Sequence, residues 1–228
     1  MFHIVDLSRA LEDGSPHYPT QAKFYRMPWT QRELGDDATS FQLLLNEHSG
    51  THVDAPGHFV SNVPDGTWID DIDLTRCMGT AFVIDCTAVQ SSTAAPDSVL
   101  DSLPRRLQSD DIVLFNFNWE DRWTLGREGR RYMADWPFIS PELAGTLALH
   151  RVRAIGVNTL SPDSQENDEA GNQIVHRTLL GAGILIFENL CRLSALPASG
   201  FQFMGLPIKV ARGSGAPVRA VATWDAPS

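Results

Sequence analysis

The sequence predicts an α/β domain dominated by a mixed, strand-rich sheet. Two observations carry that expectation. Short β-branched or aromatic runs far outnumber helical segments. No internal repeat, low-complexity tract or Gly/Ser linker divides the 228 residues, of which 43% are hydrophobic. A chain of that length can bury one sizeable core, so residues 1–228 are read as one domain.

Taken in order, "HIVDLS" (3–8) opens the chain as a strand. Residues 14–39 carry prolines and charges but few periodic apolar positions, and are expected as a long surface loop, often a functional feature. "FQLLLNEH" (41–48) and "GTAFVIDC" (79–86) read as strands. Residues 96–109 start as a helix, with Pro104 expected to end or kink it. "DIVLFNF" (111–117) is the next strand. Residues 140–151 form a second helix: Ser140 can cap, and Pro141 suits the first helical position because its missing N–H is an orphan there. "VRAIGVNT" (152–159), "GILIFENL" (183–190), "FQFMGLPIKV" (201–210) and "PVRAVAT" (217–223) complete the strands.

Lys and Arg total 18 against 28 Asp and Glu, a formal net charge of -10. That surface repels phosphate backbones and anionic lipid, so neither nucleic acid nor membrane is expected as a partner. No apolar run approaches the roughly 20 residues of a membrane helix. Asp6 stands where a signal peptide would be apolar, and Cys77, Cys86 and Cys191 are odd in number and widely spaced. Both point to a cytoplasmic protein with reduced, buried thiols.

Chemistry concentrates in "NEHSGTHVDAPGHFV" (46–60), which holds three of the seven histidines together with Asp54. A lone histidine in a loop is ordinarily solvated or hydrogen-bonded, but His48, His52 and His58 are not alone. Gly50 and Pro56 argue against a helix here. On an extended chain His48, His52, Asp54 and His58 share parity and one face. A straight strand would hold His48 and His52 about 13 Å apart, too far for one metal, so the chain must curl. Gly50 permits that curl, and Pro56 with Gly57 supplies a second bend. The reading is a metal site with an additional acid/base histidine. Imidazoles and a carboxylate suit zinc or manganese, and a carboxylate can bridge a metal pair. His176 and Glu188 are candidates for the remaining ligands. Glu188 inside "ILIFENL" is costly to bury without a compensating cation; the alternatives are a solvent-facing strand end or an arginine partner.

"HSGTHVDAPGH" (48–58) resembles, at all seven fixed positions, the H-x-G-T-H-x-D-x-P-x-H signature of the cyclase family of metal-dependent hydrolases, which includes bacterial kynurenine formamidases and isatin hydrolases. "IVDLSRALEDGSPHYP", "AIGVNTLSPD" and "LPIKVARGSGAPVRAVA" resemble the family's opening, central and closing strands, so the likeness runs along most of the chain. The resemblance implies a swivelling β/β/α fold that forms homodimers or homotetramers. It implies two divalent metals, Zn or Mn, per chain. His48, His52 and Asp54 would hold one, Asp54 would bridge to a second held by His176, and Glu188 would touch both. His58 would be the general acid/base. Tyr18 falls where formamidases carry a substrate-packing aromatic, usually tryptophan.

The reaction expected is hydrolysis of a C–N bond in an aryl formamide, amide or lactam, with a small aromatic molecule as substrate. Tyr18, and with it Trp119 or Trp123, would suit an aromatic ring, although core packing is the commoner fate of a tryptophan. The rivals are a biosynthetic cyclase or dehydratase, a lactone hydrolase using the same metal site, and a non-catalytic metal-binding protein that would have no need of His58.

Overall fold

The computed structural model describes residues 1–61 and 67–225. Twelve strands and three α-helices are found among them, in this order. Strands β1 (Phe2–Asp6), β2 (Tyr25–Thr30), β3 (Ser40–Leu44) and β4 (His52–Asp54) come first, followed by β5 (Met78–Asp85), β6 (Ala94–Ala95), β7 (Ile112–Asn116) and β8 (Phe138–Ile139). Then come helix α1 (Pro141–His150), strand β9 (Ala154–Val157), helices α2 (Gln165–Glu169) and α3 (Ile174–Gly181), and strands β10 (Leu185–Glu188), β11 (Phe201–Pro207) and β12 (Gly215–Asp225).

The main sheet runs β1-β12-β11-β5-β7-β9-β10-β4, and β4 pairs again with β12. That last pairing closes seven strands into a barrel, with β1 added outside the ring. Closure depends on the length of β12: residues 215–217 pair with β4, while residues 218–223 pair with β11. Strands β5, β7, β9 and β10 are parallel to one another; β4, β11 and β12 join antiparallel. The sheet is therefore mixed, as expected.

Alternation along each strand separates two cores. In β7, Ile112 and Leu114 belong to the cluster inside the barrel, with Phe187, Phe203 and Ala220. Val113 and Phe115 belong to the outer cluster, which takes in Leu143 and Leu147 of α1 and Leu179 of α3. Burial on both faces matches the apolar run of residues 112–115 in β7, which ends at the buried Asn116. Gly205 is required inside: a Cβ there would lie 2.6 Å from the Phe187 ring.

Helix α1 begins as its sequence indicates, the Ser140 hydroxyl accepting from the Leu143 N–H with Pro141 at the first position. Residues 96–109 do not form the expected α-helix. They make a short 3-10 helix, Asp97–Ser102, which stops because Leu103, preceding Pro104, is held extended (φ -67, ψ 140). The expected loop 14–39 contains β2, which among the described residues pairs only with β3, in a separate two-stranded ribbon. Residues 41–48 are not one strand: β3 ends at Leu44, and a turn follows in which the Asn46 side chain accepts from the His48 N–H. All three cysteines are buried and unbridged. No helix is long and apolar enough to cross a membrane among the described residues.

Candidate metal centre

Three neighbouring elements, β4, β10 and α3, bring the site together on the outer face of the barrel. Val53 points into the barrel core, so His52 and Asp54, on either side of it, must point outward. Glu188 pairs in register with His52 and has the parity of Ile186, also outward. Helix α3 packs across β10 and brings His176 over the same spot. Glu188 is buried, and its oxygens face histidines, so neither the solvent-facing nor the arginine-paired alternative holds.

His48 arrives differently from the shared strand face expected of it. It sits in the turn before β4, and Gly50 (φ +62) reverses the chain so that His48 and Asp54 meet, Nδ1 to Oδ1 at 2.7 Å. A side chain at position 50 would strike Leu11 at 2.6 Å as well as strain the backbone. Pro56–His58 forms a 3-10 turn, and Gly57 lets it lie against Trp68, which a Cβ would meet at 2.6 Å. The turn stacks the His58 ring on His48, centroids 4.0 Å apart.

Hydrogen bonds fix which nitrogen each histidine presents. The Nδ1–H of His52 donates to the Gly50 carbonyl at 2.9 Å, leaving Nε2 to face the carboxylates. The Nδ1–H of His176 donates to Asp163 at 2.8 Å, again leaving Nε2 inward. Asp163 also accepts from the Val175 and His176 backbone N–H groups, so it anchors the start of α3 and orients its histidine together. For His48 the chain of donors is longer. The Ser214 hydroxyl donates to Glu47 at 2.7 Å and accepts from His48 Nε2–H at 3.0 Å, which leaves Nδ1 toward Asp54. Gly215 makes room for this ring, since a Cβ there would lie 2.5 Å from it.

The donor atoms fit divalent metal. His52 Nε2 lies 3.4 Å from Asp54 Oδ1 and 3.3 Å from Glu188 Oε2. His176 Nε2 lies 3.4 Å from Asp54 Oδ2 and 3.1 Å from Glu188 Oε1. Ligands about 2.1 Å from one tetrahedral ion stand about 3.4 Å from each other. Each carboxylate thus turns one oxygen to His52 and the other to His176, and Asp54 Oδ2 is buried without a hydrogen bond. The electrostatics agree. Burial opposes protonation of His52, but Asp54 and Glu188 overcome it and push the imidazole up to about 10; His176 is raised well above its usual value against the same burial by Asp163, Asp54 and Glu188. A pocket that holds protons so firmly is one a cation can occupy in their place. His58 differs: burial pushes it down to about 4, helped by His48 and His176 and opposed by Asp54 and Glu188.

The groups open on a cavity of about 500 Å³ whose wall includes Tyr18, Phe59, Leu160, Ser161 and Asp168. Tyr18 thus lies in the cavity wall. Burial, with the charge of Asp168, pushes its hydroxyl up to about 12. Trp119 and Trp123 do not reach the cavity. Trp119 is buried in the outer core with its indole N–H on the Tyr132 carbonyl, and Trp123 packs against that core. Asp163, Asp168, Glu47 and Ser214 were not anticipated from the sequence. Asp168 is buried with neither oxygen hydrogen-bonded, and burial pushes its carboxyl up to about 7. His176 and Ser161 oppose that rise, although the Ser161 hydroxyl does not reach bonding geometry.

Comparison with known proteins follows the same outline. The Cyclase family model, described as "Putative cyclase", matches residues 5–164, which include His48, His52, Asp54, His58 and Asp163 but stop short of His176 and Glu188. A kynurenine formamidase of Erythrobacter litoralis is 29% identical over 223 residues, covering 96% of this chain and 92% of that protein. The structure of isatin hydrolase A from Labrenzia aggregata bound to benzyl benzoate superposes with a TM-score of 0.86 at 26% identity, over 98% of this chain and 94% of the other. An isatin hydrolase bound to the product analogue thioisatinate gives a TM-score of 0.89 at 22% identity, over 99% and 93%, a likeness of fold.

Proposed function

The chain belongs to the cyclase family, and from that premise we propose that it is a metal-dependent hydrolase cleaving the C–N bond of an aryl formamide, amide or lactam. The observation that carries this reading is the pair of carboxylates, Asp54 and Glu188, each with one oxygen toward His52 and one toward His176. His48, His52, Asp54 and Glu188 would hold one divalent ion, Zn or Mn, and Asp54, His176 and Glu188 a second. Metal bound there supplies Lewis acidity, lowering the pKa of water and stabilising charge on a carbonyl oxygen. His58, kept neutral by burial, takes the proton from the attacking water and delivers it to the departing nitrogen, which leaves poorly as an anion. Tyr18 and Phe59 give the cavity an aromatic wall suited to an aryl group. The similar kynurenine formamidase and isatin hydrolases are named for substrates of this kind.

A panel of N-formylkynurenine, isatin, simple formanilides and aryl lactones tests the assignment. Release of aryl amine or ring-opened lactam is the expected result. Turnover of lactones alone would move the reaction to C–O bonds, and no hydrolysis by metal-loaded protein would remove it.

The protein would work as a homodimer or homotetramer. The β2–β3 ribbon pairs with no other strand among the described residues, and an isolated two-stranded hairpin is marginal in water. It nevertheless exposes Tyr25, Met27, Phe41 and Leu43, and Trp29 at 73%. An apolar ribbon of that kind is suited to cover by another chain. It follows Pro16–Gln21, several of whose residues line the cavity, so assembly and site are adjacent. Light scattering at micromolar concentration is expected to give a dimer or larger, and Trp29→Glu with Leu43→Glu to give monomer. A fully active wild-type monomer would contradict this.

A further inference from the structure

His52 and His176 present Nε2 to the carboxylates, because their Nδ1–H groups donate to the Gly50 carbonyl and to Asp163. His48 is turned the other way. Its Nε2 meets the Ser214 hydroxyl at 3.0 Å, and its Nδ1 lies 2.7 Å from Asp54 Oδ1. Glu47 decides which of those nitrogens carries the hydrogen. Its Oε2 accepts from the Ser214 N–H at 2.9 Å and from the Ser214 hydroxyl at 2.7 Å. A carboxylate only accepts, and a hydroxyl has one hydrogen, so the Ser214 oxygen is left to accept from His48 Nε2–H. In the neutral ring the Nδ1 lone pair then faces Asp54, two acceptors that only a cation between them reconciles. The Ser214 loop is shaped for this approach: a Cβ on Gly213 would lie 3.1 Å from Glu47 Oε1, and one on Gly215 2.5 Å from the His48 ring. Glu47 itself belongs to none of the ligand groups found among the described residues.

We propose that Glu47 and Ser214 are positioning residues that make His48 a metal ligand through Nδ1, and so set the affinity for the ion on the His48–His52 side. The inference rests on the metal-dependent reading above and adds to it which nitrogen binds and what fixes it. Without the Glu47 acceptor, the Ser214 hydroxyl can turn its hydrogen toward Nε2. His48 then carries its hydrogen on Nδ1 and donates to Asp54, which closes that nitrogen to metal. Partners that orient a ligand imidazole are worth about 10–100-fold in metal affinity.

The test titrates zinc, against a competing chelator, into metal-stripped wild type, Glu47→Ala, Ser214→Ala and the double variant. Each single variant is expected to lose about 10–100-fold in affinity for one equivalent. The double variant should lose no more than either, because both changes interrupt one chain of bonds. Ser214→Ala keeps the backbone N–H on Glu47, so it separates the hydroxyl's role from a clamp on the loop. Nitrogen-15 spectra of zinc-loaded wild type are expected to show one histidine bound through Nδ1 and two through Nε2. Three histidines bound through Nε2 would overturn the inference. So would losses that add in the double variant, or full zinc affinity in Ser214→Ala, which would leave Glu47 a clamp or itself a ligand. Zinc binding is read without turnover, so the two readings fail separately. Arylamide hydrolysis with three Nε2 ligands sinks this inference alone, and an Nδ1 ligand in a protein that hydrolyses no arylamide sinks the hydrolytic reading alone.

Discussion

Replacing His52 with alanine is expected to strip metal from the protein and reduce hydrolysis to background. His52 offers Nε2 to one oxygen of each carboxylate, and its other nitrogen is tied to Gly50, so no other side chain can take its place. The metal-free variant should also be less stable. Asp54 is fully buried and held well below the usual carboxylate range against its desolvation, by His48, His176 and His52 together. Removing a partner from such a cluster costs about 3–5 kcal/mol, or roughly 10 °C in Tm for a chain of this size. His176→Ala should be milder, emptying the Asp54 Oδ2 and Glu188 Oε1 side while leaving donors for one ion. Elemental analysis and thermal unfolding of the two variants check both halves. Full metal in His52→Ala would remove it from the ligand set.

His58→Ala is expected to keep both metal and fold while turnover falls by roughly 10²–10⁴-fold, the usual worth of a positioned acid/base group. The ring stacks on His48 and T-packs on Phe59, contacts that alanine loses without exposing a charge. Its nitrogen does lie close enough to His48 and Asp54 to complete a ligand group with them, so geometry alone allows either role. Metal content decides between them. If His58→Ala loses metal as thoroughly as His52→Ala, His58 is a ligand and the proton must travel through another group.

The residues of 48–58 were legible because their chemistry is local. His52 and Asp54 alternate across Val53 on one strand, and the glycines and proline that bend the chain sit between the polar groups. The common strand face assigned to His48 was wrong in detail, since a turn that Asn46 closes brings it in instead. His176 and Glu188 were found as candidates, yet α3 was missed because "IVHRTLLG" merges with the apolar run that becomes β10. The least legible groups act across long separations. Asp163 lies 13 positions before His176 in what reads as an ordinary Ser-Pro-Asp turn. Ser214 lies 166 positions from His48 in a glycine loop typical of any hairpin. Asp168 carried no sequence signal beyond being an acid in an acidic stretch. Barrel closure was equally hidden: the run at 217–223 is extended to Gly215 by pairing with β4, which only the assembled sheet supplies.

Dependence of hydrolysis on metal is measured by following formanilide turnover against metal content while the protein is stripped by a chelator and then titrated with zinc or manganese. Activity is expected to disappear with the metal while the stripped protein remains folded, and to return as about two equivalents per chain are taken up. Undiminished hydrolysis by protein verified to be free of metal would contradict that dependence.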